Sequence, residues 1–327
     1  MRPWEYPFVR AALAGAALFA ASAAAAFAQV WPAKPVRMVV GFAPGGGTDV
    51  TARVVAQPLA EGLNQRVVID NRPGANGTIG SEHVSKAPPD GYTVLMVNSG
   101  HTVNPGMYRQ LPYDTVRDFA PISLVAMLAN VLVVHPSLPV KSVPEFVRFA
   151  RARPASVAYG SGGHGASSHL GMELFRKATR TELLHVPYKS GGLSVVALLG
   201  GEVAVSFNTI PSSANYVRAG RLRALGVSSL KRSLGMPEVP TIAEQGHPGF
   251  EASGLAGLVA PAGTPPEIVD RIHEEIVKLL RLPKVMEQCL VLGMDPVGSS
   301  PAEFARFIRA DMDKWTTLTR ELRLSAE

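Results

Sequence analysis

The sequence predicts an α/β protein made of two units of similar construction. From Val36 onward, short apolar runs alternate with helical patterns, as strands and covering helices do in an α/β fold. The same alternation restarts near Val157, so a single sheet does not account for the whole chain. The length of 327 residues agrees, because single hydrophobic cores stop growing near this size and chains then divide into domains.

The predicted elements fall into two groups along the chain. The first group has strands at 36–42, 66–70 and 93–98 and helices at 49–63 and 78–86. The second group has strands at 157–160, 183–186, 203–208 and 222–228 and helices at 168–179 and 191–199. Because strands alternate with helices, we expect each sheet to be parallel and covered by helices on both faces.

Two apolar stretches connect these groups. Residues 121–134 carry few turn signals, and residues 250–260 form a second candidate connection. If both cross between the units, two extended strands act as a hinge between discontinuous domains. We therefore predict a first domain at 29–128 plus 253–327 and a second domain at 129–252.

The N-terminus has the features of an export signal. Arg2 and Arg10 flank a short polar region before an apolar stretch at 11–27, and Ala26-Phe27-Ala28 matches the small-residue pattern of a cleavage site. We predict that residues 1–28 are a signal peptide that directs export and is removed before Gln29. No cysteine follows the cleavage site, so no lipid anchor is expected, and no second apolar stretch reaches the length of a membrane span.

Composition and missing motifs argue against several function classes. The net charge is +6, but Lys and Arg are scattered rather than clustered as in a nucleic-acid footprint. The single cysteine, Cys289, lies among apolar residues and fits a buried position. No nucleophile elbow, HExxH zinc motif or Walker A loop occurs, and His169 with Glu173 on one helix face is weak evidence for a metal. We expect no catalytic residue, no metal site and no cofactor.

Four segments carry the Ser/Thr-x-x-Glu pattern of a helix capping box. They lie at 142–145, 241–244, 264–267 and 300–303, and we expect each to begin a helix. The last two predict helices at 265–281 and 301–322.

Two glycine-rich loops each follow a predicted strand and open a helix. The first is Pro44-Gly45-Gly46-Gly47-Thr48-Asp49, and the second spans 161–168. The first N–H groups of a helix lack internal partners and carry the positive end of the helix dipole, so such loops attract anions. One loop alone fits a plain turn, but two equivalent loops, one per unit, predict a shared cleft.

The second loop also matches the dinucleotide fingerprint through Gly160, Gly162 and Gly165. That fingerprint needs an acidic residue at the end of the following strand. Here the strand ends in Pro187-Tyr188-Lys189, and Glu182 precedes it. We therefore do not expect a nicotinamide cofactor.

Short motifs run in order through the whole chain after the predicted signal. They are Trp31-Pro32-Lys34-Pro35, Pro44-Gly45-Gly46 with Asp49, Asn71-Arg72-Pro73-Gly74-Ala75, Pro89-Asp90-Gly91-Tyr92-Thr93, Asn104-Pro105, Leu111-Pro112-Tyr113-Asp114, the stretch 160–169, His185-Val186-Pro187-Tyr188-Lys189, Pro240-Thr241 and Ala260-Pro261-Ala262-Gly263-Thr264-Pro265. With these motifs the sequence resembles the Bug (TctC-like) family, the extracytoplasmic solute-binding components of tripartite tricarboxylate transporters.

The resemblance implies a type II periplasmic-binding-protein fold, a Venus flytrap of two Rossmann-like domains joined by two crossing strands. It also implies a monomer without enzymatic activity, located in the periplasm of a Gram-negative bacterium. Such a protein holds a mono- or dicarboxylate and delivers it to a permease of one small and one large subunit. Carried over by position, the implied ligand contacts are Pro44, Gly45, Gly46, Gly47, Thr48, Asp49, Asn98, Ser99, Ser161, Gly162, Ser167, His169, Tyr188, Lys189, Gly191 and Asn208.

One implied contact departs from the family pattern. Many relatives carry Asp at the position of Asn208, and Ala204 likewise replaces a common Asp. An amide can donate to a carboxylate, whereas an Asp carboxylate only accepts, so we expect a ligand acid without an amino group.

Two other functions stay open at this point. A sensory binding protein would signal to a membrane kinase, and the sequence does not separate sensing from import. A secreted α/β enzyme would need a nucleophile or a metal constellation in the cleft.

Overall fold

The computed structural model describes residues 31–321 and residue 324, and it contains two β-sheets. The predicted signal peptide at 1–28 lies outside these residues. In chain order the strands are β1 (Val36–Val40), β2 (Val67–Asn71), β3 (Thr93–Asn98), β4 (Phe119–Leu128), β5 (Asn130–Val134), β6 (Ala158–Ser161), β7 (Leu184–Pro187), β8 (Val205–Thr209), β9 (Arg223–Val227), β10 (Gly254–Pro261) and β11 (Met294–Pro296).

Helices connect and cover these strands. In chain order they are α1 (Gly47–Leu63), α2 (Thr78–Ser85), α3 (Gly100–Met107), α4 (Val143–Arg151), α5 (Ser167–Thr179), α6 (Gly191–Leu199), α7 (Ile210–Arg218), α8 (Pro266–Leu280), α9 (Pro283–Val291) and α10 (Pro301–Glu321). None of the helices within 31–321 has both the length and the apolar character that a bilayer crossing requires.

The two sheets define two lobes, both of the α/β type expected from the sequence. The first lobe has a six-stranded sheet in the order β11-β4-β10-β3-β1-β2. The second lobe has a five-stranded sheet in the order β7-β6-β8-β5-β9.

Each sheet mixes parallel and antiparallel strands, so the prediction of wholly parallel sheets is wrong. The β1–β2, β1–β3, β6–β7 and β6–β8 pairs are parallel, as strand–helix alternation predicts. In contrast, β10 is antiparallel to β3 and β4, and β5 is antiparallel to β8 and β9. The direction reverses because β5 and β10 enter their sheets directly from the other lobe, without a covering helix before them.

Two segments cross between the lobes, inside the stretches that the sequence predicts. β4 ends at Leu128 in one sheet and β5 begins at Asn130 in the other, so Ala129 alone makes the first crossing. The second crossing leads from Ala252, whose N–H donates to the Ser228 carbonyl at 3.2 Å, into β10. The Asn130 amide donates to the Ala252 carbonyl at 2.5 Å, which holds the two crossings side by side.

The lobes are in contact away from these crossings as well. Leu170 of α5 packs in one buried cluster with Val103 and Met107 of α3 and Trp315 of α10. Lys177 of α5 pairs with Glu321 of α10 at 3.4 Å. The structure therefore shows the two lobes closed against each other.

The capping patterns give one correction. Ser142 accepts from the Glu145 N–H at the start of α4, and Ser300 and Glu303 exchange two hydrogen bonds at the start of α10. Thr241 and Glu244 exchange the same pair of bonds, but only a turn follows. The prediction of a helix at 241 is wrong because Gly246, Pro248 and Gly249 follow within two turns and oppose a helix.

Candidate functional site

A small cavity lies between the lobes at the ends of several strands. Its volume is about 40 Å³. All of its lining residues are uncharged; they are Phe42, Gly46, Gly47, Thr48, Asn98, Leu128, Gly162, Ala166, Ser167, Ser168, Ser190, Gly191, Asn208, Thr209, Ser212, Gly254 and Leu255.

Four helix N-termini supply much of this lining. The N-cap residues Gly46 of α1, Ala166 of α5, Ser190 of α6 and Thr209 of α7 all line the cavity. Each N-terminus presents backbone N–H groups and the positive end of a helix dipole. Each such end stabilises a nearby anion by about 0.3–1 kcal/mol at the surface, and by up to about 2 kcal/mol where the site is partly buried. The cavity is therefore electrostatically suited to an anion without a positively charged side chain in its wall.

Asp49 holds the first loop in place from behind. Its carboxylate accepts from the Gly45 N–H at 3.0 Å, from Arg53 Nε at 2.9 Å and from Asn71 Nδ2 at 3.0 Å. Burial raises the pKa of Asp49, but these hydrogen bonds and the Arg53 charge outweigh it, so the pKa lies below the usual value. A buried, ionised and fully partnered Asp49 fixes the loop and does not line the cavity.

Neutral groups hold the second loop. The Gly162 N–H donates to Ser168 Oγ at 2.9 Å, and the Gly163 N–H donates to Ser161 Oγ at 3.1 Å. The Gly165 N–H donates to His169 Nδ1 at 3.1 Å, and Ser161 Oγ lies 2.6 Å from His185 Nε2. His169 therefore supports the loop without lining the cavity.

Asn208 sits at the end of a buried chain of hydroxyl groups. Ser206 Oγ donates to the Gly160 carbonyl at 2.8 Å and lies 2.6 Å from Ser194 Oγ. Asn208 Nδ2 donates to Ser206 Oγ at 2.5 Å and to Ser194 Oγ at 3.2 Å. Each hydroxyl has only one proton, and this arrangement gives every contact a donor. It leaves the amide oxygen of Asn208 on the side of Gly191, another residue of the cavity wall.

Half of the ligand contacts expected from the sequence line this cavity. They are Gly46, Gly47, Thr48, Asn98, Gly162, Ser167, Gly191 and Asn208. The structure places the others outside the wall; they are Pro44, Gly45, Asp49, Ser99, Ser161, His169, Tyr188 and Lys189.

The residues outside the wall have other contacts or face solvent. The Tyr188 hydroxyl donates to Glu202 at 3.3 Å, and Lys189 is exposed. Ser99 Oγ accepts from the Leu255 N–H at 3.3 Å, while Pro44 and Gly45 are exposed at the edge of the first loop.

The sequence analysis missed part of the wall. Ser190 and Thr209 adjoin expected contacts and are N-caps, so a search for capping residues after each strand could have found them. Leu128, Gly254 and Leu255 line the cavity because both crossings pass beside it, which no local pattern indicates.

Comparison with known proteins agrees with this architecture. Residues 51–324 match the family model described as the tripartite tricarboxylate transporter family receptor, TctC. Protein BugT of Bordetella pertussis is 38% identical, over 91% of this chain and 92% of its own length.

Two solved structures superpose closely. The periplasmic binding protein BugD has a TM-score of 0.87 at 31% identity, with 90% of this chain and 99% of that chain covered. The R. palustris protein Rpa4515, solved with adipate, has a TM-score of 0.88 at 36% identity, with 90% and 99% covered.

Proposed function

The chain belongs to the TctC family of periplasmic solute-binding proteins, and we propose that it captures a small organic acid between its lobes and delivers it to a membrane permease. One observation supports the ligand class above all others. Four helix N-termini meet at a cavity whose wall carries no charged side chain. Backbone N–H groups and helix dipoles then compensate the negative charge of a carboxylate.

Asn208 narrows the class of acid that we propose. Both of its amide protons are used by Ser194 and Ser206, so the group left for a ligand is the carbonyl oxygen. A carbonyl oxygen accepts hydrogen bonds and cannot donate to a carboxylate. The expected exclusion of amino acids relied on an amide donor, so it loses its support. A mono- or dicarboxylate that carries a hydroxyl donor near its acid group fits this wall best.

The proposal is tested by titrating a panel of acids into the purified protein. The panel should contain matched pairs with and without a hydroxyl, and calorimetry should give one site per chain. Ligand at 100 times Kd should stabilise the fold by about 2.7 kcal/mol in thermal unfolding. If no carboxylate in the panel binds or shifts Tm, the proposed ligand class is wrong.

Closure is tested by small-angle scattering on the same samples. We expect a smaller radius of gyration with saturating ligand, because the two crossings provide a hinge and the lobes meet around the cavity. Proven binding with an unchanged radius of gyration would contradict capture by closure.

We also propose that the protein is exported, cleaved after Ala28, and acts as a monomer with domains at 29–128 plus 253–327 and at 129–252. The division of the strands between two sheets supports these domain limits. Intact mass of protein from a periplasmic extract tests the cleavage, since retention of residues 1–28 would contradict it. Delivery to a permease of two subunits is tested by solute uptake in membrane vesicles that carry the permease, with and without this protein.

A further inference from the structure

Three histidines of the second lobe face one another outside the cavity wall. His164 lies in the glycine-rich loop, His169 in the first turn of α5 and His185 in β7. Each offers one ring nitrogen, and the three nitrogens lie within 4.8 Å of one another. The ring centroids are 4.3 Å apart for His169 and His185, 4.8 Å for His164 and His185, and 5.4 Å for His164 and His169. Within residues 31–321, no other group of three metal-ligating side chains comes this close.

Two of the three rings are held in the neutral form. Burial, reinforced by the neighbouring histidines and Arg176, lowers the pKa of His169 and His185 to about 3. A neutral imidazole keeps the lone pair that a metal ion requires, whereas a protonated ring repels a cation.

We propose that His164, His169 and His185 form a binding site for a divalent transition-metal ion such as Zn²⁺ or Ni²⁺. Three imidazole nitrogens are a donor set that these ions accept, with a fourth position left for water or another ligand. His164 is exposed, so an ion can reach the group from solvent. The remaining two rings are buried or half-buried, which shields the site on the protein side.

Coordination requires His169 Nδ1 to release the Gly165 N–H, which it now accepts at 3.1 Å, and the stacked rings of His169 and His185, 18° apart, to tilt toward a common ion. Three nitrogens at about 2.0–2.1 Å from a tetrahedral ion lie about 3.3 Å from one another. The loop can supply its share of this movement, at His164 and at the Gly165 N–H, because His164 stands between Gly163, with φ of +113°, and Gly165, with φ of +74°. His164 is therefore flanked on both sides by glycines, which have high backbone freedom.

A carboxylate stands behind one of the rings. Glu173 Oε1 lies 4.0 Å from His169 Nε2, and Glu173 is itself held by Arg176 at 2.6 Å and by the Tyr159 hydroxyl at 2.7 Å. When His169 binds the ion through Nδ1, its proton lies on Nε2 and faces Glu173, as in the carboxylate–histidine pairs that orient metal ligands. Bound metal would also tie the loop to α5 and β7, and Gly162 and Ser167 of this segment line the organic-acid cavity.

The alternative is that the three rings only pack against one another. Calorimetric titration of Zn²⁺ and Ni²⁺ into chelator-treated protein without an affinity tag separates the two. We expect one ion per chain, and His164→Ala removes a ligand, so it should weaken binding by more than the roughly 10–100-fold that loss of a residue supporting a ligand costs. His164 is exposed, so its removal should leave thermal unfolding of the metal-free protein unchanged.

His135→Ala is the matched control, because His135 belongs to the same lobe but not to this group. This control should bind metal as the wild-type protein does, and His185→Gln should again weaken binding. A wild-type protein that binds neither ion, or equal affinities in His164→Ala and wild type, would overturn the proposal. None of these measurements uses an organic acid, so they fail or succeed independently of the proposed ligand.

Discussion

Loop 44–49 of the first lobe and loop 161–168 of the second both join a strand to a helix whose N-terminus lines the cavity. Their supports differ. The first is fixed by an ion pair, Asp49 with Arg53, in which one partner is buried and the other is 55% exposed. The second is fixed by hydroxyl groups and by neutral histidines.

The difference shows that a shared loop geometry does not require shared chemistry behind it. Both devices satisfy loop N–H groups with acceptors. The carboxylate contributes stability above about pH 4, whereas the neutral imidazole makes stability fall below about pH 6.5, where the unfolded chain takes up the proton. The second loop also contains His164 of the proposed metal site, whereas the first loop is held by charge.

The largest expected effect is on ligand affinity, and it comes from Gly47 of the first loop, which lies against Thr209 of the other lobe. A Cβ added at Gly47 would lie 2.3 Å from Thr209 Oγ1 of the other lobe, whereas one added at Gly162 would lie 3.0 Å from the Gly191 nitrogen of its own lobe. Gly47→Val should therefore lower ligand affinity about a hundredfold, near 2.8 kcal/mol, with little change in unfolding. Gly162→Val should instead lower the free energy of unfolding itself, by about 1–3 kcal/mol.

Calorimetry and chemical unfolding on both variants check this contrast. Gly200→Val serves as the control, because an added Cβ there meets nothing closer than 3.6 Å. Normal affinity in a folded Gly47→Val protein would show that the lobes do not need to close this tightly.

The second prediction concerns acid and His169. Its folded pKa, about 3, lies below the value of about 6.5 in an unfolded chain, so the unfolded state binds the extra proton and stability falls as pH drops below 6.5. At pH 5 this costs about 2 kcal/mol relative to neutral pH. His169→Gln keeps an acceptor for the Gly165 N–H without the titration, so between pH 7.5 and pH 5 it should lose about 2 kcal/mol less than wild type.

Urea unfolding at both pH values, with a chelator present, measures the difference. His101 of the first lobe, with a pKa lowered by burial to about 4, and His185, with a pKa lowered chiefly by burial to about 3, remain in every variant and contribute to each slope. His135→Gln should follow the wild type. An unchanged pH dependence in His169→Gln would mean that this ring titrates normally in the folded protein.

The sequence predicted the elements that local patterns specify. The strand Thr93–Asn98 and the helix Gly191–Leu199 have the predicted bounds, because apolar periodicity and an N-terminal glycine or serine mark them locally. The predicted parallel direction was wrong at β5 and β10, because strand direction depends on the lobe from which the chain enters the sheet. The Thr241 pattern failed for a related reason: a capping box satisfies N–H groups equally well in a turn.

The candidate site could likewise be predicted only where local patterns specify it. Loop glycines and strand-end residues such as Asn98 and Asn208 were found, because the carboxyl ends of strands meet at one edge. The roles of Asp49 and His169 were not predicted. A residue in or next to a loop can hold it in place through hydrogen bonds without lining the cavity. The group of three histidines could not be predicted either, because His164 and His185 become neighbours only when β7 pairs with β6.

The smallest expected effect is the loss of charge behind the first loop. The pKa of Asp49 in the folded protein is below its unfolded value, so its ionised form contributes stability above about pH 4, and that contribution is lost as the pH falls through the folded pKa. Asp49→Asn keeps the size but places an amide opposite the Gly45 N–H and Arg53, and it should lower the free energy of unfolding by about 1–2 kcal/mol at pH 7. Asp90→Asn is the control, because it removes only the exposed Lys34–Asp90 pair at 3.6 Å, which should contribute almost nothing, and keeps an oxygen that accepts from the Tyr92 N–H. Unfolding curves at pH 7 and pH 3 should show the gap between wild type and Asp49→Asn narrowing in acid. A gap that is absent at pH 7, or that stays constant down to pH 3, would mean that this loop is not held by charge and that the contrast with the histidine-supported loop fails.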